Sequence, residues 1–238
     1  MLYLVTGGSG SGKSEYAENL AVSRHRNESE HAEKPAVSRH RNESEYAEKS
    51  VVSGHRNESE YAEKLAVSES QNGRLIYVAT MYPYFAGDGK MDSETAGRID
   101  RHRNMRQGKG FDTIECFTDI STLAVANNDV ILLECMSNLL ANEMYLDNGN
   151  IPYTPENSLD DMIRLAEEYI VKPLINIAKR TGDIIVVTNE VFSDGYENTY
   201  DEGTNTYIRL LGYINQRLAG SAESVTEVVC GIPVVAGK

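Results

Sequence analysis

Residues 1–14 read MLYLVTGGSGSGKS, and this opening decides the fold. LYLVT at 2–6 is a short apolar run that turns into glycines, the pattern of a strand buried on both faces. GGSGSGKS at 7–14 then fits G-x-x-x-x-G-K-[ST], and helix-forming residues follow from Ser14. Between a strand and a helix, such glycines let backbone N–H groups converge on phosphate oxygens, and the helix N-terminus adds partial positive charge. Lys13 would reach the terminal phosphates and the Ser14 hydroxyl would hold Mg²⁺. Gly7, Gly8, Ser9, Gly10, Ser11, Gly12, Lys13 and Ser14 are therefore candidate nucleotide-binding residues, with Lys13 also catalytic and Ser14 the candidate metal ligand.

Working outward, further apolar strands are predicted at 75–80 (LIYVAT), 112–115, 130–134 (VILLE), 184–189 (IIVVTN) and 225–230. Helical stretches at 14–22, 93–106, 159–179 and 204–219 lie between them. Continuous apolar strands alternating with helices predict an α/β fold of the P-loop NTPase type: a mostly parallel sheet with helices on both faces. Loops at 81–92 and 146–158, rich in Gly, Pro, Tyr and Asp, are expected to line a site.

A repeat interrupts this plan. SEYAENLAVSRHRNE at 14–28 recurs with changes at 29–43 and 44–58, and SEYAEKLAVSES opens a partial fourth copy at Ser59. Three extra 15-residue units occupy 45 positions and leave 193 of the 238, a single domain. Each unit reads as helix, but a 15-residue period makes the apolar stripe drift by ~60° per unit around the axis. Leu20 and Leu65 flank Pro35 and Ser50 at equivalent positions, and Pro35 would kink or end a helix. Residues 24–68 are thus expected to be a helical or partly disordered insertion within one domain spanning 1–238, a tolerated duplication in preference to a docking arm.

The net charge of −13, from 23 Lys+Arg against 36 Asp+Glu, argues against non-specific nucleic-acid or anionic-membrane binding. No apolar run approaches the ~18 residues of a membrane span, and the opening lacks the basic region of a signal peptide, so a cytoplasmic location is expected. Cys116, Cys135 and Cys230 lie far apart with no CxxC spacing, which suggests neither a zinc site nor a disulfide framework.

Two candidate strands end in acids, Glu134 and Glu190, at the edge where ligands of such sheets bind. Either could meet Mg²⁺ or a substrate hydroxyl, and either could be a solvated carboxylate. Of five histidines, four (His25, His31, His40, His55) belong to the repeat; His102 stands apart in GRIDRHRNMRQGKG. On a helix, Arg98, His102 and Arg106 share one face, so neighbouring positive charge would keep the imidazole neutral and attract phosphate. Spacing alone leaves open a nucleophilic and a merely solvated histidine.

Taken in order, LVTGGSGSGKS, YVAT, RIDRHR, TIE, VILLECMSNLL, VVTNEV, INQRLA and VVCGIP resemble the bifunctional adenosylcobinamide kinase / adenosylcobinamide-phosphate guanylyltransferase family of cobalamin biosynthesis. The resemblance implies phosphorylation of adenosylcobinamide by a nucleoside triphosphate. GMP then passes from GTP to that phosphate through a GMP–histidine intermediate. By motif the histidine is His102. The family's nucleotide contacts fall on the phosphate loop, on Ala79, Thr80 and Met81, on Arg103, Asn104, Met105 and Arg106, and on Glu115 and Glu134. ATP, GTP and Mg²⁺ are the implied small molecules, and a homotrimer the implied assembly. RHRN also occurs at 24–27 and 39–42, but without the RID lead.

Two other readings fit part of the chain. A one-step P-loop small-molecule kinase needs no nucleophilic histidine, and a non-catalytic NTP-binding scaffold would use the repeats as its docking arm. Deleting residues 24–68 tests the repeat reading. Loop length adds only about 0.6 kcal/mol of closure entropy per doubling, so the shortened protein should fold and bind GTP nearly as before. Thermal midpoint, oligomer mass and GTP affinity check this; loss of assembly or binding would give the repeats a structural role.

Overall fold

A computed structural model describes residues 1–32, 73–84, 91–191 and 200–236. Its centre is a seven-stranded sheet: β1 (Leu2–Thr6), β2 (Leu75–Ala79), β3 (Asp112–Glu115), β4 (Val130–Glu134), β5 (Asp183–Val187), β6 (Ser224–Val229) and β7 (Ile232–Ala236), ordered β3-β2-β4-β5-β1-β6-β7. All neighbours are parallel except β6 and β7. The fold expected from the sequence is therefore present: α/β, mostly parallel, with helices on both faces.

Alternate residues of each strand serve opposite layers. Leu4, Ile131, Leu133 and Val186 pack with Leu140, Met162, Ile170, Leu174 and Ile214 on one face. That layer comprises α3 (Met136–Tyr145), α4 (Leu159–Ala166), α5 (Lys172–Arg180) and α6 (Glu202–Ser221). Tyr3, Val5, Leu132 and Val187 face α1 (Lys13–Ala32), whose Ala17 and Ala21 are fully buried. Small residues there let the helix settle close to the sheet, which fixes where its N-terminus points.

Three departures from the sequence reading have physical causes. The helix expected at 159–179 widens into a π-turn over Glu167–Val171, just before Pro173, which has no N–H to donate to the preceding turn. Helix α3 follows β4 directly, and its N-cap Cys135 makes no side-chain capping bond, so the usual start signal is missing. The antiparallel β7 carries Pro233, tolerated because the strand is an edge. A two-residue turn with both φ positive, Cys230 at 51° and Gly231 at 79°, joins it to β6.

The repeat reading lies mostly outside the described residues, since 33–72 are not among them. The described part of the first copy is docked. Arg24 lies 4.4 Å from the Tyr3 ring centroid and 3.7 Å from the Asp183 carboxylate, and His25 Nε2 is 2.6 Å from the Gly73 carbonyl oxygen. A deletion starting at residue 24 removes these contacts, at a cost of about 1–2 kcal/mol.

The strand ends that carry the site are tied by one buried side chain. Asn142, 2% exposed on α3, donates through Nδ2 to the carbonyl oxygens of Thr80 (2.8 Å) and Phe117 (2.9 Å). These carbonyls belong to the segments that leave β2 and β3. Asn142→Ala should cost about 2–3 kcal/mol, because two acceptors lose their donor at once. A urea midpoint within a few tenths of a molar of the parent would show that water replaces the amide without loss.

Candidate functional site

The phosphate loop leaves β1 at Thr6 and enters α1 at Lys13. At Gly7 a Cβ would stand 2.6 Å from the Val228 carbonyl oxygen, and at Gly12, with φ +90°, 3.3 Å from Gly231 Cα. Both positions thus need glycine because the β6–β7 hairpin presses against the loop, and the Gly231 N–H donates to the Ser11 carbonyl at 2.8 Å. Lys13 Nζ donates to the Gly8 carbonyl at 3.0 Å. Burial lowers the Lys13 pKa, while Glu134 and Cys135 oppose that shift.

Glu134 ends β4, with β5 lying between it and β1. Its Oε1 accepts from Ser14 Oγ at 2.7 Å. Its Oε2 is buried and has no hydrogen-bond partner. Burial pushes its carboxyl up to about 7, against the Ser14 hydrogen bond and the Lys13 charge. A hydroxyl and a carboxylate with a spare buried oxygen, beside a phosphate loop, are the oxygen donors that Mg²⁺ takes. The residues fit that ion.

His102 lies midway along α2 (Ser93–Arg106), a helix with no fully buried residue. Asp92 caps its start, accepting from the Thr95 N–H at 2.9 Å. Polar clamps hold its other end. The Arg106 guanidinium stacks 4.3 Å over the Tyr77 ring and donates through Nε to Thr113 Oγ1 at 3.1 Å. Just beyond, Lys109 Nζ meets Glu18 Oε2 at 2.6 Å, and Glu18 is fully buried on α1. The clamps hold the helix so that His102 lines the same cavity as the phosphate loop, with its Nδ1 buried and unpartnered. Burial first, then Arg98, Arg106, Arg101 and Lys13, hold its pKa below 6.5. A neutral imidazole with a free ring nitrogen is a nucleophile.

One cavity of 460 Å³ joins these parts. Of the residues named from sequence, Ser9, Gly10, Ser11, Gly12, Lys13, Ser14, Ala79, Met81, His102, Arg103, Met105, Arg106, Glu115 and Glu134 line it. Gly7, Gly8 and Asn104 are not in its lining. Thr80 is fully buried, its hydroxyl donating to the Cys135 carbonyl and accepting from the Cys135 N–H, so it braces the strand ends and leaves the cavity to its neighbours. Glu190 does not line the cavity; its N–H donates to the Gly7 carbonyl. Sequence reasoning missed Tyr77, Asn138 and Asn189, which also line it. Tyr77 sits in a strand-core pattern, Asn138 in an unrecognised helix, and only the asparagine of VVTNEV had a signal, its place at a strand end.

The family described as cobinamide kinase / cobinamide phosphate guanyltransferase matches residues 50–236. The match starts after two copies of the repeat, so the phosphate loop lies outside it and is identified by its own motif and geometry. A bifunctional adenosylcobalamin biosynthesis protein, CobU, of Salmonella typhimurium is 32% identical over 171 residues, covering 67% of this chain and 88% of that protein. Its counterpart in Escherichia coli is 29% identical over 155 residues, covering 63% and 83%. Among solved structures, an ATPase domain aligns with 95% of this chain and 68% of its own at a TM-score of 0.39 and 11% identity, a likeness too slight to bear on function.

The His102 environment can be titrated directly. Its ring carbon-bound protons, followed by NMR, should show a midpoint below 6.5. Arg98→Ala should raise that midpoint without restoring 6.5, because burial is the larger cause. Between the depressed midpoint and 6.5 the unfolded chain binds more protons, so the domain should lose stability as pH falls through that window. A midpoint at or above 6.5 would contradict the buried, cation-flanked setting.

Proposed function

This chain belongs to the cobinamide kinase / cobinamide phosphate guanyltransferase family, and on that premise we propose that it phosphorylates adenosylcobinamide and then transfers GMP to the product. The observation that carries the reading is the shared cavity: a phosphate loop and a neutral histidine face one nucleotide-sized space.

In the first reaction, the aminopropanol hydroxyl oxygen of adenosylcobinamide attacks the γ-phosphorus of ATP or GTP. The bond to the β-phosphate oxygen breaks, the nucleoside diphosphate leaves, and the hydroxyl proton passes to solvent or a carboxylate. The loop amides and Lys13 hold the γ-phosphoryl oxygens as charge shifts towards the leaving group. A divalent cation held by Ser14 and Glu134 would supply additional neutralisation of phosphate charge.

In the second reaction, a ring nitrogen of His102 attacks the α-phosphorus of GTP. An N–P bond forms and pyrophosphate leaves. A phosphate oxygen of adenosylcobinamide phosphate then attacks the same phosphorus, the N–P bond breaks, and adenosylcobinamide-GDP forms with His102 regenerated. Arg98 and the segment Arg103–Arg106 surround the nucleophile with cations, which favours both the neutral imidazole and the approach of GTP. Ser9–Ser14, Ala79, Met81, Glu115 and Glu134 complete the nucleotide's surroundings in this reading.

The family's homotrimer is part of the proposal. It is supported by β7, an edge strand whose Ile232 (65%), Val234 (52%) and Val235 (58%) are exposed. No helix among the described residues is long and apolar enough to cross a membrane; a cytoplasmic site of action is proposed with the function. The one-step kinase is the second reading, and it leaves the depressed His102 pKa without a use.

Incubation with α-labelled GTP and Mg²⁺ followed by denaturation should leave acid-labile, alkali-stable label on the protein. His102→Ala should abolish that label, and label on His25 or His40 would overturn the assignment. Lys13→Ala should lose about 3 kcal/mol of transition-state stabilisation, roughly a hundredfold in phosphorylation rate. Wild-type-like phosphorylation by that variant would remove the loop from the kinase step.

A further inference from the structure

The cavity has room for a nucleotide. At 460 Å³ it lies at the lower end of the ~300–1,000 Å³ typical of small-ligand sites. A corrin macrocycle cannot share that space, so in the function proposed above its ring must rest outside while its alcohol arm enters.

The segments that leave β2 and β3 build a surface at this mouth. Tyr82 packs edge-to-face against Phe117 at 5.3 Å between ring centroids, and Tyr84 packs in the same way against Tyr82 at 5.2 Å. Phe117 lines the cavity, as do Met81 and Pro83 on either side of Tyr82. Tyr84, the outermost ring, is 48% exposed. The backbone beneath is fixed: the Tyr84 N–H donates to the Tyr82 carbonyl at 3.0 Å, and the Asp92 N–H donates to the Tyr84 carbonyl at 3.2 Å. Asp92 is also the cap of α2, so the rings are anchored to the helix that carries His102.

A single exposed tyrosine is ordinary on a protein surface. A run of three interlocked rings, joined to the cavity at one end and open at the other, is a preformed platform, and preformed rings bind with little ordering cost. Tyrosine offers an apolar face with a hydroxyl at its tip. A corrin ring presents the complementary edge, methyl groups interspersed with carboxamides. We propose that Tyr84, Tyr82 and Phe117 form the seat of the corrin ring, and that this seat aims the aminopropanol arm at the phosphate loop. The inference rests on the kinase and guanylyltransferase reading.

The probe is adenosylcobinamide, followed by its visible absorption in equilibrium dialysis against the full-length protein. Wild-type protein should bind it saturably. Tyr84→Ala should weaken binding roughly five- to tenfold, and Tyr84→Phe should stay within about twofold. Tyr169→Ala, which removes another exposed tyrosine on the helical layer, should have no effect. Tyr84→Ala with wild-type affinity would overturn the seat while leaving the proposed function intact. A Tyr84→Ala protein of altered oligomer mass but unchanged affinity would also overturn it, by making the platform a subunit contact. Wild-type protein that neither binds adenosylcobinamide nor takes label from GTP would overturn the function and the seat together.

Discussion

The site depends on one constraint of parallel sheets: every strand delivers its carboxyl end to the same edge. Here β1, β2, β3 and β4 each end in a segment that enters the cavity, and the hydrogen bond from Ser14 to Glu134 closes the span across β5. Shifting β4 by one residue relative to β5 would turn Glu134 to the other face of the sheet. The register Leu133↔Val186 and Glu134↔Val187 is therefore as much a part of the site as any side chain. Apolar burial of those strands on both faces is what locks it.

Burial then sets the chemistry. Lys13, Glu134 and His102 are each shifted towards their neutral forms, and in each case desolvation is the first cause. A buried carboxyl oxygen of Glu134 and a buried ring nitrogen of His102 are left with bonding capacity that the protein itself does not use. Phosphate and cation would draw on that capacity. In the function proposed above, one cavity would serve two phosphorus chemistries because both require the triphosphate anchored at one end, and they differ in which phosphorus is attacked and in the nucleophile that attacks it.

Much of this was legible in the chain. The phosphate loop announces itself through Gly12, Lys13 and Ser14, and the apolar strands through runs such as VILLE. His102 was singled out by its arginines four residues either side, and those cations do depress its pKa. What could not be read was long-range. Nothing local marks Glu18 as the partner of Lys109, or Tyr77 as the seat of Arg106, because those pairs join distant segments. The resemblance makes Thr80 a nucleotide contact, and nothing local shows that its hydroxyl is engaged by the backbone of Cys135. Helix α3 lacked a capping signal, and β7 lacked the Asn-Gly turn that usually marks a hairpin. The docked Arg24 and His25 were hidden by the repeat, whose other copies made them look interchangeable.

The turn between β6 and β7 has a wider implication. Gly231 lies against Gly12 and bonds to Ser11, so the loop that would cradle phosphate is shaped partly by residues more than two hundred positions away. The eight residues from Gly7 to Ser14 are therefore not a portable cassette. Transplanted onto another strand–helix junction without that backstop, they would keep their glycines and lysine but lose the wall that sets their curvature.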